Sequence, residues 1–195
     1  MAGNPRFEIS SAYPELQSYY GLLVGLAYTL PNSLAGLFAG GLTKTMNRKL
    51  MLVVCMTLLS VFQFSTGIID SFLVLATLRF CHGAVSSAIN PLAFSLMADY
   101  FPPDKRSTAN SILSGANFIG IALSSMTIIL IKNIGWRASY CTMGALGLVG
   151  AITSLLTLKN PTRGRFETAE DKIKREEKEI AKPKGGFFSM MSEVN

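Results

Sequence analysis

The sequence predicts an all-α, polytopic membrane protein with five transmembrane helices. Three observations lead there. Of 195 residues, 49% are hydrophobic and only 15% charged, where a soluble domain carries about a quarter charged residues. Five apolar runs follow one another, each close to or beyond the roughly 20 residues a helix needs to cross a bilayer. The first two are joined by a short basic link, Gly40-Gly41-Leu42-Thr43-Lys44-Thr45-Met46-Asn47-Arg48-Lys49, which reads as the tip of a helical hairpin on the cytoplasmic side.

Taken in order, residues 1–18 form a polar extracytoplasmic loop with no apolar stretch of signal-peptide type. Residues 19–158 form the five-helix bundle, with spans at 19–42, 50–69, 72–97, 111–131 and 139–158. Backbone groups in lipid must be satisfied internally, which makes helices the default for such runs. The ten-residue alternation of an outer-membrane barrel is absent. The third span is longer than a bilayer requires, so it tilts or extends into the cytoplasm. Pro31 and Pro91 can kink their helices. From Lys159 the chain becomes a basic cytoplasmic tail, with a charged, helix-prone stretch at 167–180. That stretch is either solvated or a surface helix at the headgroup boundary.

Basic residues set the orientation. Fourteen of the eighteen Lys and Arg fall in the first link, the third link (Lys105, Arg106) and the tail. The positive-inside rule then places the N-terminus outside and the C-terminus in the cytoplasm. The same rule accounts for the net charge of +6 better than nucleic-acid binding, for which no basic stripe interleaved with aromatics exists. Cys55, Cys81 and Cys141 each sit in an apolar run without a CxxC pair, so neither a disulfide framework nor a zinc site is favoured. Phosphate-binding glycine loops, Ser-His-Asp arrangements, HExxH and paired carboxylates are also missing. An enzyme and a cofactor are therefore not expected.

The link motif resembles that of the major facilitator superfamily of secondary transporters, G-x-L-x-D-R-x-x-R-[RK]. Gly40, Leu42, Arg48 and Lys49 match it, while Lys44 and Thr45 replace its aspartate and following arginine. Arg79-Phe80-Cys81-His82-Gly83, Pro91, Ala98-Asp99-Tyr100-Phe101-Pro102 and Lys105-Arg106 keep the order and spacing of the family's fourth helix and the loop after it. Gly135-Trp136-Arg137 resembles the turn that opens the sixth. The pattern is similar to sialin-like and spinster-like branches, though Ser86 stands where the spinster-like acidic residue would be. The resemblance implies that the five spans are helices two to six of a twelve-helix fold built from inverted repeats. On that reading the chain is a fragment lacking the first helix and the C-terminal half.

Candidate pathway residues come from the polar positions within spans. Arg79, His82, Ser86 and Asn90 recur at helical spacing, as do Asn110, Ser114, Asn117 and Ser124. An arginine at membrane depth is costly unless it faces protein, water or a counter-charge, and no acidic residue lies within any of the five spans to pair with it. Arg79 therefore lines a cavity and attracts an anion, or it snorkels and caps neighbouring carbonyls. His82, the only histidine, relays protons or is a neutral hydrogen-bonded helix residue. The polar stripe of the fourth span, Asn117 included, lines the cavity or hydrogen-bonds between helices. Gly36 and Gly40, with Gly115 and Gly120, read as close helix contacts. Asp99 pairs with Arg48 or Lys49 as a gate latch, with Arg106 beside it, or is an ordinary exposed acid.

The resulting expectation is secondary transport or facilitated diffusion of a small organic solute, an anion if Arg79 meets it, by alternating access. Membrane lipid, the solute, and the C-terminal half of a transporter or other membrane subunits are the implied partners. The rival expectation is a degenerate facilitator fragment serving as an accessory subunit, suggested by Lys44 in place of the motif aspartate.

Overall fold

A computed structural model describes Tyr19, Gly21, residues 25–42, residues 47–159 and Phe166. The loop expected at 1–18, the link residues 43–46 and the tail beyond Lys159, Phe166 apart, lie outside the described residues. Among the described residues the fold is all-helical: α1 (Leu26–Leu42), α2 (Arg48–Ile68), α3 (Phe72–Ser86), α4 (Ile89–Tyr100), α5 (Pro103–Ser125), α6 (Thr127–Ile134) and α7 (Trp136–Thr157). Four continuous or nearly continuous helical stretches, 48–68, 72–100, 103–134 and 136–157, are long and apolar enough to cross a membrane. With α1 they account for the five expected spans.

Two spans are interrupted. The third breaks at Ser87 and Ala88, dividing α3 from α4. Pro91 has no N–H to give the carbonyl of Ser87, and the Ala88 amide bonds back only to Val85 at 3.2 Å. The fourth breaks at Met126, where no proline is present. There the hydroxyls of Ser124 and Ser125 both donate to the Ile121 carbonyl, at 2.9 and 3.2 Å, a back-bonding pattern that bends helices. The fourth span also starts earlier than hydropathy suggests. Pro103 occupies the first helical position and Asp104 the first turn, both favourable at a helix N-terminus, so the polar residues Asp104 to Thr108 are helical rather than loop.

Helix α2 is the centre of the bundle, packing on α7 most extensively and also on α3 and α4. Leu52, Cys55, Ala88, Leu92 and Leu96 form a buried cluster where α2 meets the α3–α4 junction. The α2–α7 seam is close because of glycines. A Cβ on Gly144 would lie 2.6 Å from the Phe64 backbone nitrogen, and one on Gly67 would lie 2.6 Å from the Arg137 carbonyl oxygen. Likewise α1 approaches α3 at Gly83, where a Cβ would sit 2.3 Å from the Tyr28 carbonyl oxygen. Gly36 makes only ordinary contact, and Gly115 and Gly120 have nothing within 4 Å. Among the glycines described, the close contacts thus fall at positions other than Gly36, Gly115 and Gly120. Between α6 and α7 the chain turns at Gly135, whose φ of 89° is a conformation suited to glycine.

Candidate functional site

The polar residues of α3 do not share one environment. Its second turn carries Arg79, about 10 Å along the axis from Phe72. The guanidinium reaches α7, where Nη2 donates to the Tyr140 hydroxyl, and its central carbon lies 5.2 Å from the Tyr140 ring centroid. Among the described residues the two ion pairs are Arg48–Asp99 and Arg137–Asp70, so Arg79 has a phenol rather than a carboxylate as its partner.

Arg79 lines a cavity of about 630 Å³ between α2, α3, the α5–α6 break and α7. Gln63, Ser139 and Tyr140 are its other polar residues on α2 and α7. Leu123, Met126, Ile131, Met143 and Leu146 supply apolar wall, while Ser124 and Thr127 flank the break. The Ser139 hydroxyl donates to the Gly135 carbonyl at 2.7 Å.

His82 and Ser86 face α1 instead. The Ser86 hydroxyl lies 3.0 Å from the Tyr28 hydroxyl and 3.4 Å from Asn32 Oδ1, and it can donate to the Gly83 carbonyl at 3.0 Å. One hydroxyl proton cannot serve all three, so Tyr28 is the donor whenever Ser86 gives its own to Gly83 or Asn32. The His82 ring is tilted against that of Tyr28, with centroids 5.8 Å apart. Its Nδ1 is buried and has no hydrogen-bond partner among the described residues. Asn90 lies beyond the Ser87–Ala88 break, at the start of α4, and is exposed; Asn117 on α5 is exposed as well.

Of the motif residues, Gly40 and Leu42 end α1. Arg48 opens α2 behind an Asn47 N-cap whose side chain accepts from the Leu50 amide. Its Nη1 meets Asp99 Oδ2 at 2.5 Å and the Ser95 carbonyl at 3.1 Å. Both partners are well covered, with side chains 16% and 9% exposed, so Arg48 rather than Lys49 takes Asp99. Arg106 donates to the carbonyls of Ala98 at 2.9 Å and Phe101 at 3.2 Å, satisfying the end of α4. At the other end of α2, Arg137 holds Asp70 at 2.6 Å, donates to the Ile69 carbonyl at 3.1 Å and stacks over Trp136 at 4.5 Å.

Sequence reasoning missed Tyr140, Tyr28 and Asn32. The last two sit one turn apart on the first span beside Pro31, and that spacing was readable. The Asp70–Arg137 pair was readable too, since Asp70 falls between the spans at 50–69 and 72–97 and Arg137 between those at 111–131 and 139–158, two links on one side of the membrane.

Residues 7–192 match the Major Facilitator Superfamily. The chain belongs to that superfamily. It is 27% identical over 165 residues to the uncharacterized transporter YybO of Bacillus subtilis, covering 81% of this chain and 38% of that protein. It is 27% identical over 134 residues to a probable L-galactonate transporter of Escherichia coli, covering 68% of this chain and 30% of that one. Its fold matches a bacterial homolog of the human lysosomal transporter Spinster, solved inward-facing and unoccupied, with a TM-score of 0.62 and 25% identity over 80% of this chain and 39% of that one. The chain therefore spans about two fifths or less of the proteins it resembles. It is an integral, multi-pass transporter-family chain and not an enzyme.

Proposed function

We propose that this chain contributes to the movement of a small organic anion across a membrane by alternating access, within a transporter of the length of its relatives. One observation carries the proposal. Arg79 lies within a membrane-spanning helix, lines a cavity and has a neutral phenol as its partner among the described residues. A half-buried guanidinium facing open space favours an anionic group there, since charge at membrane depth is otherwise costly. One relative is named a probable transporter of L-galactonate, an organic anion, which supports the same solute class. His82, Ser86, Asn90 and Asn117 are proposed to line the rest of the pathway.

The same proposal puts residues 1–18 outside the membrane, the bundle at 19–158 within it, and 159–195 in the cytoplasm, as the distribution of Lys and Arg indicates. On that orientation the Arg48–Asp99 pair stands at the cytoplasmic end, where it can hold the inward gate together with Gly40, Leu42, Lys49 and Arg106. The relatives described above are named as transporters, which favours transport over the accessory subunit that Lys44 suggests.

The test is uptake of labelled organic anions by the complete transporter carrying Arg79→Ala or Arg79→Lys. Loss with alanine and partial retention with lysine are expected. Unchanged uptake of every anion with Arg79→Ala would sink the proposal.

A further inference from the structure

The lining of the Arg79 cavity narrows the solute further, granted the role proposed for Arg79. We propose that this cavity binds an amphiphilic organic monoanion, with its anionic group on Arg79 and Tyr140 and its apolar body along the wall formed by the α5–α6 break and α7.

The charge of the ligand follows from the lining. Arg79 is the one ionised side chain among the cavity residues, so one negative charge is matched and a second would stay uncompensated. Tyr140 completes the anion site. Its oxygen accepts from Arg79 Nη2, which leaves its own proton to donate. A carboxylate between the two receives one N–H and one O–H bond, both charge-assisted.

The apolar body follows from how few polar groups the wall offers: beyond Arg79 and Tyr140 there are only Gln63, Thr127 and two serines. Ser124 donates to the Ile121 carbonyl at 2.9 Å and Ser139 to the Gly135 carbonyl at 2.7 Å. Their protons are already used within their own helices, while Leu123, Met126, Ile131 and Met143 supply most of the wall. A polyhydroxylated body placed there would bury hydroxyls with few partners, a costly arrangement. An aliphatic body loses nothing. Met126 itself marks the helix break, so the wall opens where the backbone departs from a straight helix.

The molecule carries its own reporter. Trp136 is the only tryptophan and its ring stands edge-on to Tyr140, with centroids 6.1 Å apart. The experiment is a titration of Trp136 fluorescence in the 195-residue chain, held in phosphatidylcholine nanodiscs at neutral pH. Octanoate is the probe, compared with acetate, gluconate, octanol and octyltrimethylammonium.

A saturable response to octanoate alone is expected. Arg79→Gln should raise the midpoint at least about tenfold, as loss of a charged hydrogen-bonding partner does. Arg79→Lys, which keeps the charge, should stay well below that loss, and Met143→Phe should weaken binding by filling the cavity. Circular dichroism of each variant separates a lost site from a lost fold, and retained binding in Arg79→Lys keeps the test valid if Arg79→Gln does not fold.

Gluconate or acetate binding as well as octanoate, still dependent on Arg79, would overturn the apolar body while leaving the anion role of Arg79 intact. Octanol matching octanoate, or a response indifferent to Arg79, would overturn both. Loss of the octanoate response when phosphatidylglycerol is added to the disc would show that a lipid phosphate takes the same anion site, which overturns a solute site. An absence of any saturable response would overturn the inference as well.

Discussion

Helices α2 and α5 are both long and apolar, yet they live in different surroundings. A third of α2's most apolar window is buried inside the bundle, whereas none of the window spanning α5 and α6 is. Helix α2 packs on α7, α3 and α4, while α5 touches chiefly its chain neighbours α4 and α6 and buries Ala109 alone. Hydrophobicity does not separate them, because lipid covers an apolar face as well as protein does. What separates them is shape. The α2–α7 seam brings backbones together at Gly67 and Gly144, and Gly115 and Gly120 on α5 meet nothing. Close approach is what drives helix association in a membrane, where apolar surface gains little by leaving lipid for protein.

The largest test of this contrast is Gly144→Leu. Its Cβ would lie 2.6 Å from the Phe64 nitrogen and 2.8 Å from the Phe64 Cα. These are backbone atoms and cannot rotate away, so α2 and α7 must separate. A loss at or beyond about 3 kcal/mol is expected, the upper end of overpacking costs. Thermal unfolding followed by circular dichroism in detergent would read it. Unchanged stability would mean that the seam is looser than its geometry.

Next in size is Asp99→Ala, at the Arg48 end of α2. Removing the carboxylate leaves a largely buried guanidinium holding only the Ser95 carbonyl. A destabilisation of about 3 kcal/mol is expected, because the main cost of breaking a buried pair is the charge left behind. The double variant Arg48→Gln/Asp99→Asn should recover a large part of the loss. Equal losses in the single and double variants would show that the contact, rather than an uncompensated charge, carries the effect.

The contrast between α2 and α5 was only partly legible in the sequence. Length and charge placed the spans of α2 and α7 to within three residues, because hydropathy reports burial in lipid or protein alike. It could not report which glycine meets a neighbour. Gly36 belongs to the familiar spacing yet makes only ordinary contact, because crossing points depend on where two helices approach, and close ones fall at Gly83, Gly67 and Gly144. Pro91 announced the break in the third span. The break at Met126 had only the Ser124–Ser125 pair to signal it, and hydroxyl back-bonding is a choice made in three dimensions. Arg79 was legible as a charge in need of company. Its partner was not, since Tyr140 lies 61 residues away on another helix.

A smaller effect is expected from Arg137→Ala at the opposite end of α2. Here Asp70 is 88% exposed and Arg137 38%, so water screens the pair and competes for both partners. A change below about 1 kcal/mol is expected from the ion pair, with part of it lost as salt is raised. The comparison with Asp99 then measures burial directly, since both pairs tie α2 to another part of the chain with similar geometry. A salt-independent loss as large as that of Asp99→Ala would place the weight on the stacking with Trp136 and the bond to Ile69 instead.

The smallest effect belongs to Gly120→Leu on α5, where an added side chain meets open space. Stability of the chain in detergent should move by less than about 0.5 kcal/mol, and helix propensity favours leucine over glycine. The informative measurement is the same substitution in the complete transporter. Asn117 lies on the same helix and is exposed with Asn110 and Ser114; polar groups of that kind are poorly placed against hydrocarbon. If another part of the transporter covers α5, Gly120→Leu will destabilise the complete protein while leaving this chain alone untouched. Indifference in both would assign the Gly120 face of α5 to lipid and leave only its polar stripe for the solute pathway.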